Sequence, residues 1–69
     1  MIERVYKKAA GRLKEKRLAS KRAQTWVARK SGVGRTSLVN FEQGRQRLPL
    51  YQIANIARVL KVRLSELWR

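Results

Sequence analysis

The chain has 69 residues, with 18 Lys and Arg against 4 acidic residues and a formal charge of +14. That length supports one domain with one modest core and excludes a two-layered architecture around a buried catalytic cavity. With no His or Cys, and with Glu3, Glu15, Glu42 and Glu66 as the whole carboxylate supply, a zinc site or a nucleophile and base pair is almost unbuildable, so the sequence reads as a non-enzyme needing no cofactor or metal.

Ile2, Val5, Tyr6, Ala9, Ala10 and Leu13 recur at steps of three and four, and Arg17 and Leu18 continue the same faces. A first helix is therefore expected from about residue 3 to 19. Gly11 inside it costs about 1 kcal/mol relative to Ala, which suggests a second backbone passing close by. Ser20-Lys21-Arg22 breaks the pattern, and a short helix follows from about Gln24 to Lys30 with Val27 and Ala28 inward. Gly32 supplies the left-handed residue a sharp turn needs, and Gly34 leads tightly into the next segment.

Residues 35–43, Arg-Thr-Ser-Leu-Val-Asn-Phe-Glu-Gln, set Leu38 and Phe41 three apart on one face and leave Arg35, Thr36, Val39, Asn40 and Gln43 on others. This is the third helix, with Gly44 as its natural carboxyl-terminal cap. A basic loop, Arg45-Gln46-Arg47-Leu48, ends at Pro49, which suits the first position of a fourth helix. Ile53, Ala54, Ile56, Ala57, Val59 and Leu60 face inward along that helix to about Leu60, with Gln52, Asn55 and Arg58 outside. Residues 62–68 form a short fifth helix starting near Leu64 or Ser65. Leu13, Val27, Leu38, Phe41, Ile53, Ala57 and Leu60 are the expected core. Nothing alternates as a strand does, so the expectation is a single all-α domain of five helices spanning residues 1–69.

No core accommodates so many cations, so nearly all must face water or a polyanion, and phosphate backbone is the commonest such partner because its neutralisation releases condensed counterions. Lys7, Lys8, Lys14, Lys16, Lys21 and Arg22 read as a solvated basic face adding nonspecific attraction. No apolar run approaches signal-peptide or membrane-span length, so a soluble, cytoplasmic protein without membrane contact is expected.

Two short helices joined through Ser31-Gly32-Val33-Gly34, the second with polar groups on one side and apolar anchors on the other, make the pattern of a helix-turn-helix. Over about residues 9–68 the sequence resembles the phage-repressor and Cro-like (XRE-like) helix-turn-helix family. The resemblance rests on Gly11-Arg12-Leu13-Lys14 with Arg17, Gln24 with Val27-Ala28-Arg29-Lys30-Ser31-Gly32-Val33, Phe41-Glu42-Gln43-Gly44, Ile56-Ala57-Arg58-Val59-Leu60, and Leu64-Ser65-Glu66-Leu67.

The resemblance implies a lambda-repressor-like fold and a DNA-binding transcriptional regulator, more in keeping with a repressor than an activator. It implies that Arg35, Thr36 and Asn40, with Val39 alongside, face base edges. It further implies that Gln24 clamps a phosphate and buttresses the reading helix, that Arg45 and Arg47 grip the backbone, and that Arg17 and Glu42 pair internally as structural residues. Ser37 and Gln43 complete the candidate phosphate contacts. Double-stranded DNA is the implied partner, and a homodimer through Leu64, Leu67 and Trp68 the implied assembly, with Trp68 alternatively a lid on the core. The chemistry agrees: Arg donates two bonds to guanine and Asn exchanges two with adenine. Three residues depart from the family pattern, namely Ala23 in place of a Ser or Thr cap, Trp26 at a polar, exposed site, and Lys61 where Gly ends the fourth helix. Two further readings stay open: an antitoxin-type DNA-binding protein that also masks a protein partner, anchored by Trp26 or Trp68, and a nonspecific nucleic-acid binder driven by charge alone.

Overall fold

A computed structural model describes residues 2–68, and side chains over residues 4–68. Four α-helices follow one another: α1 (Ile2–Ala19), α2 (Gln24–Ser31), α3 (Arg35–Glu42) and α4 (Leu50–Val59), closed by a 3-10 turn at Leu64–Trp68. The fifth helix expected from the sequence is thus one tight turn, and among the described residues there is no strand. Its first turn is held by Glu66, whose carboxylate accepts the Arg63 backbone N–H at 3.0 Å, one half of a capping box.

One apolar cluster collects a face from every element: Ala9, Ala10 and Leu13 of α1, Val27 and Ala28 of α2, Leu38 and Phe41 of α3, Ile53, Ile56 and Ala57 of α4, and Leu67 of the 3-10 turn. Val33, Leu48 and Val62 fill it from the connections. Leu60, expected in the core, closes α4 half-buried at its edge. Ala54 and Val59 are also half-buried. Leu18 continues the periodicity of α1 but is 56% exposed, while Arg17 beside it is buried, so the inward face there is carried by Arg17. Ile2, the first position of the same stripe, lies outside the described side chains. Gly11 is exposed, and a Cβ added to it would meet nothing within 4 Å, so no second backbone passes there.

All four helices end in the same way. After α3, the Arg45 N–H reaches the Asn40 carbonyl at 2.9 Å and the Gly44 N–H reaches Phe41 at 3.0 Å, which is the Schellman motif with Gly44 left-handed at φ 75°. Gly32 (φ 74°) does the same for α2, sending the Val33 N–H to Ala28 and tucking Val33 into the core. At the ends of α1 and α4 the left-handed residue is a lysine, Lys21 at φ 58° and Lys61 at φ 59°. A side chain in that region costs roughly 1–2 kcal/mol. At the opposite ends, Ala23, Gly34 and Pro49 precede α2, α3 and α4 with no side-chain cap. Pro49 stands one residue ahead of α4 instead of at its first position, and Gly34 has an ordinary extended backbone (φ −61°) that any residue could adopt.

The left-handed lysines make a stability prediction. Replacing Lys61 by Gly should raise thermal stability by up to about 1 kcal/mol, which is roughly 4–8 °C for a domain of this size. Gly32→Ala should lower it by a similar amount. Melts recorded in high salt, where repulsion among the cations is screened, check this; a lower melting temperature for Lys61→Gly would show that the turn is not strained.

Candidate nucleic-acid interface

α3 is too short to be stable alone, and its place is fixed by what it buries. Leu38 and Phe41, each 1% exposed, fasten one side to the core. Opposite them, Thr36, Asn40 and Gln43 recur at steps of four and three and so share one outward flank. Arg35 opens the helix exposed, as is Thr36, and Val39 and Asn40 are half-buried along the flank. Ser37 is half-buried, its hydroxyl within 3.8 Å of the point where Gly34 would carry a Cβ. Gln43 closes the helix as its exposed final cap. Arg45 and Arg47 follow at once, both exposed, because the Schellman turn at Gly44 sends the chain sharply back.

Behind this helix sits a buried ionic node. Arg17 Nε donates to Glu42 Oε2 at 2.7 Å and Arg17 Nη2 to Glu42 Oε1 at 2.9 Å, a two-pronged pair between α1 and α3. The remaining prong, Nη1, donates to the Arg22 carbonyl at 3.0 Å in the connection to α2. Gln24 supplies the third helix: its side-chain Nε2 donates to Glu42 Oε1 at 2.8 Å. Both charged side chains are nearly dry, at 10% and 2% exposure. No buried side-chain polar atom among the described residues is left unpartnered. The structural pairing of Arg17 with Glu42 is therefore present, and the link to Gln24 goes beyond it: a glutamine at the start of α2 grips the carboxylate at the end of α3.

The two tryptophans are bound up with their own chain. Trp68 is half-buried against the core and donates its indole N–H to the Val5 carbonyl at 2.9 Å, so it is a lid joining the 3-10 turn to α1. Leu67 is 0% exposed and belongs to the core, which corrects its assignment to a dimer surface. An amphipathic pattern alone does not separate a core face from an interface face. Trp26 packs half-buried with the Arg22 guanidinium 4.2 Å above its ring and the Lys30 ammonium at 5.9 Å. Lys7, Lys8, Lys14, Lys16, Lys21 and Arg22 are all exposed. Among the described residues, no helix is long and apolar enough to cross a membrane, and no cluster of acidic side chains could hold a metal ion.

Breaking the node on one side should be costly. Glu42→Ala leaves a guanidinium buried without its counterion and is expected to lose about 3–5 kcal/mol, whereas the double variant Arg17→Met with Glu42→Leu should recover most of that loss. Urea unfolding of the three chains checks it, and two equal losses would mean that packing, not charge, is what the pair provides.

No curated protein and no solved structure matches the chain. A family model for the helix-turn-helix does match, over residues 13–67. That span takes in the buried node, both helices of the motif, the polar flank of α3 and most of the closing turn. The chain therefore belongs to the XRE/Cro-like helix-turn-helix family (HTH_3), a family of DNA-binding domains.

Proposed function

We propose that the chain is a sequence-specific transcriptional repressor that lays α3 into the major groove. The carrying observation is the division of α3 into a buried apolar side and an outward polar flank. A major groove about 12 Å wide takes one helix, and the helix must show it polar groups while the body holds it from behind. Arg35, Thr36 and Asn40 read base edges with Val39 alongside. Arg35 has the donors for guanine, and Asn40 the paired donor and acceptor for adenine.

Gln24, Ser37, Gln43, Arg45 and Arg47 hold phosphates and set the register without reading sequence. The uncapped starts of α2 and α3 support this role, since neither has a side-chain acceptor or an acidic residue in its first turn. Their free amides and positive dipole ends suit phosphate oxygens. Gln24 serves doubly, with one amide hydrogen on Glu42 and the other toward the backbone. The chain acts in the cytoplasm as a homodimer on two half-sites one helical turn apart, pairing through the carboxyl-terminal turn at the half-buried Leu64. Reading by charge alone would not require a flank of uncharged polar side chains at helical spacing.

The two classes of contact separate in a binding-site selection from random duplexes. Arg35→Ala and Asn40→Ala should each relax preference at one position, by about 1–3 kcal/mol. Arg45→Ala and Arg47→Ala should weaken all duplexes alike and each lower the salt slope by about 0.9. Wild-type preference in the Arg35 and Asn40 variants would refute the assignment of α3 as the reader.

A further inference from the structure

The family match begins at residue 13, so residues 2–12, the first three turns of α1, lie ahead of it. Those turns pack against the loop that leaves the reading helix. The stem of Lys7 lies over Gly44: a Cβ on that glycine would stand 3.5 Å from Lys7 Cε, 3.6 Å from Cγ and 3.9 Å from Cδ. One turn away in the loop, the Arg47 guanidinium stands 5.7 Å over the Tyr6 ring. Between helix and loop is a hollow of about 190 Å³, lined by Tyr6 and Lys7 on one side and by Gly44, Arg45, Gln46 and Arg47 on the other. Three of these residues are cations and none is a carboxylate.

We propose that this hollow seats a backbone phosphate of the bound duplex, making the amino-terminal turns of α1 part of the DNA interface. The inference rests on the reading of α3 given above and adds a contact outside the matched family segment. Three like charges around one hollow repel one another unless an anion sits among them. Two of the three are already positioned, Lys7 by the bare Gly44 and Arg47 by the tyrosine face, so little side-chain freedom remains to be lost on binding. The hollow opens beside Arg45, directly after the carboxyl end of α3. A strand flanking the helix in its groove passes that end. Free phosphate carries the same chemistry, and the test distinguishes the two sources.

Wild-type chain, Lys7→Met and Lys16→Met are compared for affinity against salt concentration on one selected duplex. Methionine keeps the stem over Gly44 and removes the charge. Lys16 is exposed and lies nine residues on, on the opposite face of α1, so it controls for net charge alone. The slope of log affinity against log salt should fall by about 0.9 for Lys7→Met and stay unchanged for Lys16→Met, with base preference kept by both. Equal slopes for wild type and Lys7→Met, or the same fall in both variants, would overturn the inference while leaving the DNA reading standing. Failure of the wild-type chain to bind any duplex would remove that reading and the inference with it. In a second arm, amide resonances of residues 44–47 are followed during titration with inorganic phosphate. Saturable shifts abolished by Lys7→Met, with no change in the duplex slope, would assign the hollow to a free anion and overturn the proposal.

Discussion

The carboxylate of Glu42 is the point on which the arrangement turns. It sits at the end of α3, takes two bonds from Arg17 and one from Gln24, and so joins α1, α2 and α3 at a single group. Withdrawing two charges from water is expensive, and their attraction repays it only when geometry is good and every remaining donor is satisfied. Here the guanidinium is completed by the Arg22 carbonyl and the carboxylate by the glutamine. A hydrophobic trio of similar volume could give as much stability. What the ionic node adds is direction, because planar, two-pronged bonds hold one roll and pitch of α3 where methyl groups would accept several.

That constraint matters because so much else in the molecule is repulsive. With a formal charge of +14, the exposed surface opposes its own compaction. Stability must come from the buried apolar core, fourteen residues among those described, and from helix ends whose carbonyls are satisfied locally. The four Schellman turns answer the second need at the carboxyl ends, two of them with lysine in a strained conformation. The amino-terminal ends of α2, α3 and α4 carry no side-chain cap. The asymmetry is a physical one: carbonyls are satisfied within the chain, while amides and cations are left facing outward, where a polyanion would meet both.

Much of this was legible in the sequence because helical periodicity reports burial directly. Leu38 and Phe41 against Thr36 and Asn40 fixed the faces of α3, and Gly32 and Gly44 marked two of the four left-handed caps. Lys21 gave no such signal, since Ser-Lys-Arg carries no residue that favours the left-handed region. Lys61 was visible only as a departure from the family pattern. Burial and interface look alike in a pattern, which is why Leu67 read as a surface residue and proves to be core, and why Leu18 read as inward and stands exposed. Long-range pairings were legible where the resemblance named them, as for Arg17 and Glu42. The resemblance also named Gln24 as a buttress of the third helix, but its partner there, Glu42, and the approach of Tyr6 and Lys7 to the loop after α3 depend on helix packing that local spacing does not encode.

The central claim is that the polar flank of α3 meets base edges in the major groove. Methylation interference on a selected duplex tests it most directly, because methyl groups at guanine N7 project into the major groove and those at adenine N3 into the minor groove. Methylation of guanine N7 at positions of strong preference should abolish binding, with adenine N3 methylation at the same half-site having little effect. Interference confined to adenine N3, or absent at every guanine, would contradict the account.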